Sequence, residues 1–206
     1  MRDLNHLSEI FRSYDTYVID LWGVMHNGIA LNSKAIEAVE NLRENSKKIV
    51  FLSNAPRPSL KVVEFLRRLK MDNKFLSKVI TSGEAAMHAI NNHKFGKKFY
   101  HLGPPRDESI FEKVLENKTS LERCDFIVCT GLFDDQGEDL NYYKELLMDY
   151  TSKKLICTNP DLIVHRGDAE ELCAGSIAKT FELLGGEVVY YGKPYKEIYK
   201  MCFNKG

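Results

Sequence analysis

Asp20 closes a short apolar run, Tyr17-Val18-Ile19, and Leu21-Trp22-Gly23-Val24 follows at once. A carboxylate at the end of a buried strand can act as a nucleophile, a base or a magnesium ligand. Open α/β sheets bind ligands beyond the carboxyl ends of their strands, so Asp20 is expected at the mouth of a site. A second run, Ile49–Ser53, ends in Ser53-Asn54 ahead of Pro56 and a helical pattern. A hydroxyl, an amide and backbone N–H groups near a helix start suit a phosphate oxygen. Lys193 follows a third run, Val188–Tyr191, and is held between Gly192 and Pro194. Taken singly, these are a turn cap, an N-cap turn and a solvated lysine. Together they put a carboxylate, a hydroxyl and an ammonium at one edge of one sheet. Phosphoryl transfer needs such a set: a positioned nucleophile, donors for the phosphoryl oxygens, and cations to offset charge.

Alternating elements must carry these residues. Further strand patterns lie at Lys98–His101, Phe126–Cys129 and Leu155–Thr158. Helical periodicity covers Ser33–Asn45, with Ile36, Val39 and Leu42 on one face, and Ser59–Lys70, with Leu60, Val63, Leu66 and Leu69 aligned. Thr81-Ser-Gly-Glu84 has capping-box spacing and opens a helix through Met87 and Ile90. A long helix is expected from near Asp168 to the Gly185-Gly186 stop, and a last one from Pro194. Met1 to Arg12 reads as a short amphipathic helix. Strict β-α alternation implies an α/β fold with a parallel sheet covered on both faces. Any second domain is inserted without a compositional seam, with the loops at Met71–Lys78 and Gly185–Glu187 as expected crossing points.

The 206 residues suffice for one large domain or two small ones. Lys plus Arg and Asp plus Glu both number 29, so there is no net field to draw nucleic acid or an anionic membrane, and neither partner is expected. No signal-peptide pattern or membrane-length apolar stretch is present, which makes a cytoplasmic location the expectation. The five cysteines lack Cys-x-x-Cys spacing, so they read as reduced packed thiols, not zinc ligands or a disulfide framework. Two motif-like stretches carry nothing. Gly186 to Lys193 is one residue too long for a nucleotide phosphate loop, and Pro194 stands where Ser or Thr should be. His165-Arg-Gly-Asp168 reads as the start of a helix with Asp168 in its first turn.

At these residues the chain resembles the haloacid dehalogenase superfamily of aspartate-nucleophile phosphatases, most closely its class IIA branch. Asp20-Leu-Trp-Gly23-Val24, Leu52-Ser53-Asn54 and Gly192-Lys193-Pro194 are similar to its first three motifs. Thr158-Asn159-Pro160-Asp161 followed by Cys173-Ala174-Gly175 resembles its inserted α/β cap. The resemblance implies a Rossmann-like core over residues 1–77 and 191–206, with the cap at 78–190. It implies that Asp20 attacks phosphorus to form an aspartyl-phosphate. Ser53 and Asn54 would bind the phosphoryl group, and Lys193 would offset charge. Mg2+ would be held by the Asp20 carboxylate and the Trp22 carbonyl. Asn159 and Asp161 would face the leaving group and shape specificity for a small phosphorylated metabolite, such as a sugar phosphate. Caps of this branch often mediate dimers.

Two departures from the family pattern shape the expectations. The family has a second Asp two residues after the nucleophile as general acid and base, and here Trp22 occupies that position. General acid–base catalysis is worth roughly 10²–10⁴-fold, so turnover is expected to favour activated esters unless a neighbouring group supplies the proton. The family's fourth, acidic motif should follow the Lys193 helix and is absent before Gly206. This leads to the expectation of a truncated phosphatase, weak in metal binding and prone to self-association through an unpaired strand edge at Tyr17–Asp20. The alternative is a catalytically inactive phosphate-ester-binding pseudoenzyme. A signalling receiver domain also combines Asp, Ser or Thr, and Lys. It needs its acceptor on a middle strand and an acidic pair on the first, a pattern this chain lacks.

Overall fold

The computed structural model of the chain describes residues 6–204. Three parallel strands open it: β1 (Thr16–Asp20), β2 (Lys48–Ser53) and β3 (Val79–Thr81), paired in that order. In register Asp20 lies opposite Leu52, and Ser53 follows it on the neighbouring strand. The strand ends thus bring the carboxylate and the hydroxyl to one rim. β1 and β3 are the edge strands of this sheet among the described residues.

β2 shows why this sheet is covered on both faces. Its buried side chains alternate: Phe51 points to the cluster formed with α1 (Ser33–Glu44) and α2 (Ser59–Arg68), while Val50 and Leu52 meet Ile198 and Cys202 of α6 (Lys196–Asn204). The period-2 pattern of an apolar strand therefore feeds two helical layers. α1 begins at Asn32, whose side chain accepts the Ala35 N–H. α2 buries Val62 and Leu66, whereas Leu60, expected on the inner face, projects to solvent.

A second parallel sheet, with order β4-β5-β6-β9, contains β4 (Phe99–Leu102), β5 (Phe126–Cys129), β6 (Lys154–Cys157) and β9 (Glu187–Tyr190). Ile127, Cys129, Leu155 and Cys157 pack on α4 (Leu140–Leu147) and α5 (Ala174–Leu183). Phe126, Val128 and Ile156 face α3 (Ser82–Asn91) and the 3-10 stretch Pro105–Phe111. The Thr81 side chain caps α3 by accepting the Glu84 N–H, as its spacing predicted. All five cysteines are free and buried. Among the described residues, no helix is long and apolar enough to cross a membrane.

β3 pairs in the first sheet and β9 in the second, and α6, which follows β9, packs on Val50, Leu52 and Ile80 of the first. Two expectations need correction. The helix expected from Asp168 starts only at Ala174. Before it, β7 (Ile163–Arg166) and β8 (Ala169–Leu172) form an antiparallel hairpin. Gly167, at φ +60°, supplies the left-handed turn that a two-residue hairpin loop requires. Part of the expected N-terminal helix, residues 1–5, lies outside the described residues, and the rest forms 3-10 turns at Leu7–Glu9 and Phe11–Ser13.

One buried histidine gives the fold a pH signature. His101 on β4 shares a 2.8 Å hydrogen bond with the Thr130 hydroxyl, and burial, with Lys118 nearby, lowers its pKa to about 4. The unfolded chain holds that proton more tightly, so this contribution is present above pH 6.5 and is lost as pH falls towards 4. The shift corresponds to about 3 kcal/mol. Melting temperature is expected to fall between pH 7 and 5, and to fall less in His101→Asn. An identical pH dependence in both proteins would refute the assignment. The variant comparison also separates this effect from buried Asp107 and Asp161, whose raised pKa values act in the opposite direction.

Candidate active site between the two sheets

Asp20 ends β1 with its carboxylate at the rim. The Lys193 ammonium lies 2.6 Å from Oδ1, and the Leu21 N–H donates to the same oxygen at 2.8 Å. Both contacts fall on Oδ1, which fixes the carboxylate and turns Oδ2 away from the ion pair. The Asp20 side chain is 40% exposed and that of Lys193 23%, so the pair is open to a ligand. Ser53, buried at the end of β2, accepts the Ala55 N–H at 3.2 Å and keeps its hydroxyl proton available. A cavity of about 630 Å³ opens here, lined by Asp20, Trp22, Ser53, Asn54, Asn159 and Asp161 among others.

Lys193 reaches Asp20 by a route the sequence pattern did not predict. It follows β9, which belongs to the second sheet, so the carboxylate and the ammonium come from two sheets and not from one edge. Gly192 makes the junction possible. At φ +122° it is left-handed, and a Cβ there would lie 2.6 Å from Pro160 Cδ and 2.7 Å from Asn54 Oδ1.

Asn54 is the hub of this junction. Its Oδ1 accepts the Lys193 N–H at 2.7 Å, and its Nδ2 donates to the Lys193 carbonyl at 3.2 Å and to Asp161 Oδ1 at 2.8 Å. The amide expected to bind phosphate is thus committed to holding Lys193 and Asp161 in place. Asn159 is committed too, since its Oδ1 accepts the Asp161 N–H at 3.0 Å. Asp161 lines the cavity, and burial raises its pKa against the opposing pull of Asn54 and Lys193. Cys173, also at the wall, has its thiol pushed up by burial to about 12, which removes it as a nucleophile at neutral pH.

Trp22 has a clear structural role. Its indole N–H donates to the His165 carbonyl at 2.8 Å, and the Arg166 guanidinium lies 5.1 Å from the ring centroid. Gly28 makes room for the ring, as a Cβ there would fall 2.8 Å from it. The Gly167 N–H adds a 3.3 Å bond to the Asn27 carbonyl. The β7–β8 hairpin is therefore fastened to the loop that follows the Asp20 strand. His26, beside Trp22, accepts the Gly28 N–H through Nδ1, and burial lowers its pKa. Neither Arg166 nor His26 was singled out from the sequence. A Gly-Asp pair between two short strand-like runs was the available hairpin signal.

Comparison with known proteins places the chain in a family. The family described as haloacid dehalogenase-like hydrolase matches residues 17–115. No curated protein sequence matches the chain. Among solved structures, a haloacid dehalogenase-like hydrolase from Brucella suis is similar at 32% identity and a TM-score of 0.90, over 97% of this chain and 73% of that one. A 4-nitrophenylphosphatase from Thermotoga maritima shares 25% identity at a TM-score of 0.72, over 95% of this chain and 75% of its own. A glycerol phosphate phosphatase from Mycobacterium tuberculosis, solved with magnesium, shares 21% identity at a TM-score of 0.69, over 96% and 60% respectively, a likeness of fold. The chain belongs to the haloacid dehalogenase-like hydrolase family, in its class IIA phosphatase branch.

Proposed function

We propose that the chain is a magnesium-dependent phosphatase that hydrolyses a small phosphomonoester through an aspartyl-phosphate on Asp20. The observation that carries this reading is the Asp20 carboxylate, held through Oδ1 by Lys193 and the Leu21 N–H, facing a cavity of about 630 Å³. Oδ2 attacks phosphorus. The Ser53 hydroxyl donates to a phosphoryl oxygen, and the Lys193 ammonium offsets the charge that nucleophile and phosphate bring together. The substrate is a small phosphorylated metabolite whose leaving group lies against Asp161 and the hairpin residues.

The donors suit a hard cation. Among the described residues, no group of three or more His, Cys, Asp or Glu side chains could hold a metal unaided. Magnesium commonly binds through one or two carboxylates together with waters and substrate phosphate. The Asp20 carboxylate and the Trp22 carbonyl meet that minimum. When bound, the ion would neutralise charge on the phosphoryl oxygens. The names of the similar proteins, a nitrophenylphosphatase and a glycerol phosphate phosphatase crystallised with magnesium, support the same reading.

The competing reading, a binder without turnover, draws on Trp22, whose indole N–H is tied to His165 and performs no proton transfer. Release of nitrophenol from 4-nitrophenyl phosphate decides between them. Magnesium-dependent release that stops on chelation is expected. Binding of phosphate without release would favour the binder and refute the enzyme.

A further inference from the structure

We propose that Asp161 is the proton donor and acceptor of the reaction, serving from the second sheet's side of the cavity in place of a carboxylate at the Trp22 position. The inference rests on the phosphatase reading and adds the group that reading lacks. Of the carboxyl groups that line the cavity, Asp20 and Asp161 are the two tied to the Asn54–Lys193 junction, and their environments differ. Asp20 is paired with an ammonium at 2.6 Å. Asp161 is half-buried and is hydrogen-bonded by a neutral amide. A carboxyl that burial inclines towards its proton is suited to act as the acid, and one held by an ammonium and a backbone N–H is placed to act as the nucleophile.

The geometry adds three points. First, Asn54 Nδ2 holds Asp161 Oδ1 as an acceptor, so the carboxyl proton resides on Oδ2. Second, the backbone of Asp161 is fixed. Its N–H is bound by Asn159, its carbonyl accepts the Gly175 N–H at 3.1 Å, and a Cβ at Gly175 would fall 2.4 Å from that carbonyl oxygen. Third, the amide that holds Asp161 also grips both backbone polar groups of Lys193, whose ammonium holds Asp20. A single side chain thus sets the spacing between nucleophile and acid. The charged and titratable groups around Asp161 are Lys193, which favours its anion, and Asp20, which favours its acid form. The Cys157 and Cys173 thiols nearby stay protonated. Burial is the largest influence and favours the acid.

The step balances without further reagents. Asp20 Oδ2 forms a bond to phosphorus while the bond from phosphorus to the ester oxygen breaks, its electron pair staying on that oxygen. The proton on Asp161 Oδ2 passes to the same oxygen, releasing an alcohol. In the second half Asp161, now a carboxylate, takes a proton from water as the water oxygen attacks phosphorus. Asp20 leaves as a carboxylate, and inorganic phosphate is released.

Leaving-group dependence provides the test, because nitrophenolate departs without a proton and an alkoxide does not. In Asp161→Asn, whose amide oxygen can still accept from Asn54, kcat/KM for ethyl phosphate, which reports the step that releases the alcohol and not the shared hydrolysis of the aspartyl-phosphate, is expected to fall about 10²–10⁴-fold. The kcat/KM for 4-nitrophenyl phosphate should fall less than about tenfold, while kcat falls for both esters because they share the second step. Equal losses in kcat/KM on both esters, or no loss on either, would overturn the assignment while leaving the phosphatase reading intact. Wild-type protein that hydrolyses neither ester would overturn the phosphatase reading and this proposal with it. A check independent of the variant's folding is the wild-type pH profile. The kcat/KM for ethyl phosphate should fall with rising pH as Asp161 loses its proton, while that for nitrophenyl phosphate holds. Coincident profiles would refute the role.

Discussion

Replacing Asp20 with Asn is expected to lower phosphate release by at least about 10⁴-fold on any ester, the scale seen when a covalent nucleophile is removed. An amide nitrogen or oxygen at this position cannot form the acyl phosphate. The substitution should otherwise be gentle. An Asn Oδ1 can accept the Leu21 N–H and a proton of Lys193, the two contacts that fix the side chain. The variant is therefore expected to melt within a few degrees of the wild type. Phosphate release and a melting curve on the same sample check both halves. Retention of more than a hundredth of the wild-type rate in a folded variant would remove Asp20 from the chemistry.

Lys193→Met should cost about 10²–10³-fold in kcat, the range found when one preorganised donor is taken from developing negative charge. By the usual conversion that is about 2.7–4 kcal/mol of lost transition-state stabilisation. Methionine keeps an unbranched stem of similar length, and the Lys193 backbone stays bound to Asn54. The change thus removes charge and leaves the junction. The ion pair itself is partly exposed, so its loss should cost the fold no more than about 1 kcal/mol. Lys193→Arg should recover little, since a planar fork does not replace a point charge held 2.6 Å from one oxygen. A variant that melts early and loses rate in proportion to its unfolded fraction would show that the lysine acts through structure alone.

The residues of the proposed site were legible in sequence wherever the signal was local. A strand ending in Asp20, another ending in Ser53 and a lysine between Gly192 and Pro194 all show in short windows, and the structure brings them together. What stayed hidden was long-range. Nothing near Val188–Tyr191 says which sheet the strand joins, and the answer reverses the origin of Lys193. The role of Asn54 depends on two partners 107 and 139 residues away. The β7–β8 hairpin escaped because most of its residues are exposed, so it has no buried face to impose an alternating pattern. β3 escaped because three residues, Val79–Thr81, are too few to show a period.

The indole that fastens the hairpin also ties it to the strand end that carries Asp20. Trp22 lies two residues beyond that carboxylate, with Arg166 over its ring and its N–H on the His165 carbonyl. A substitution that frees the hairpin therefore reaches, through the indole, the same short segment of backbone that follows Asp20.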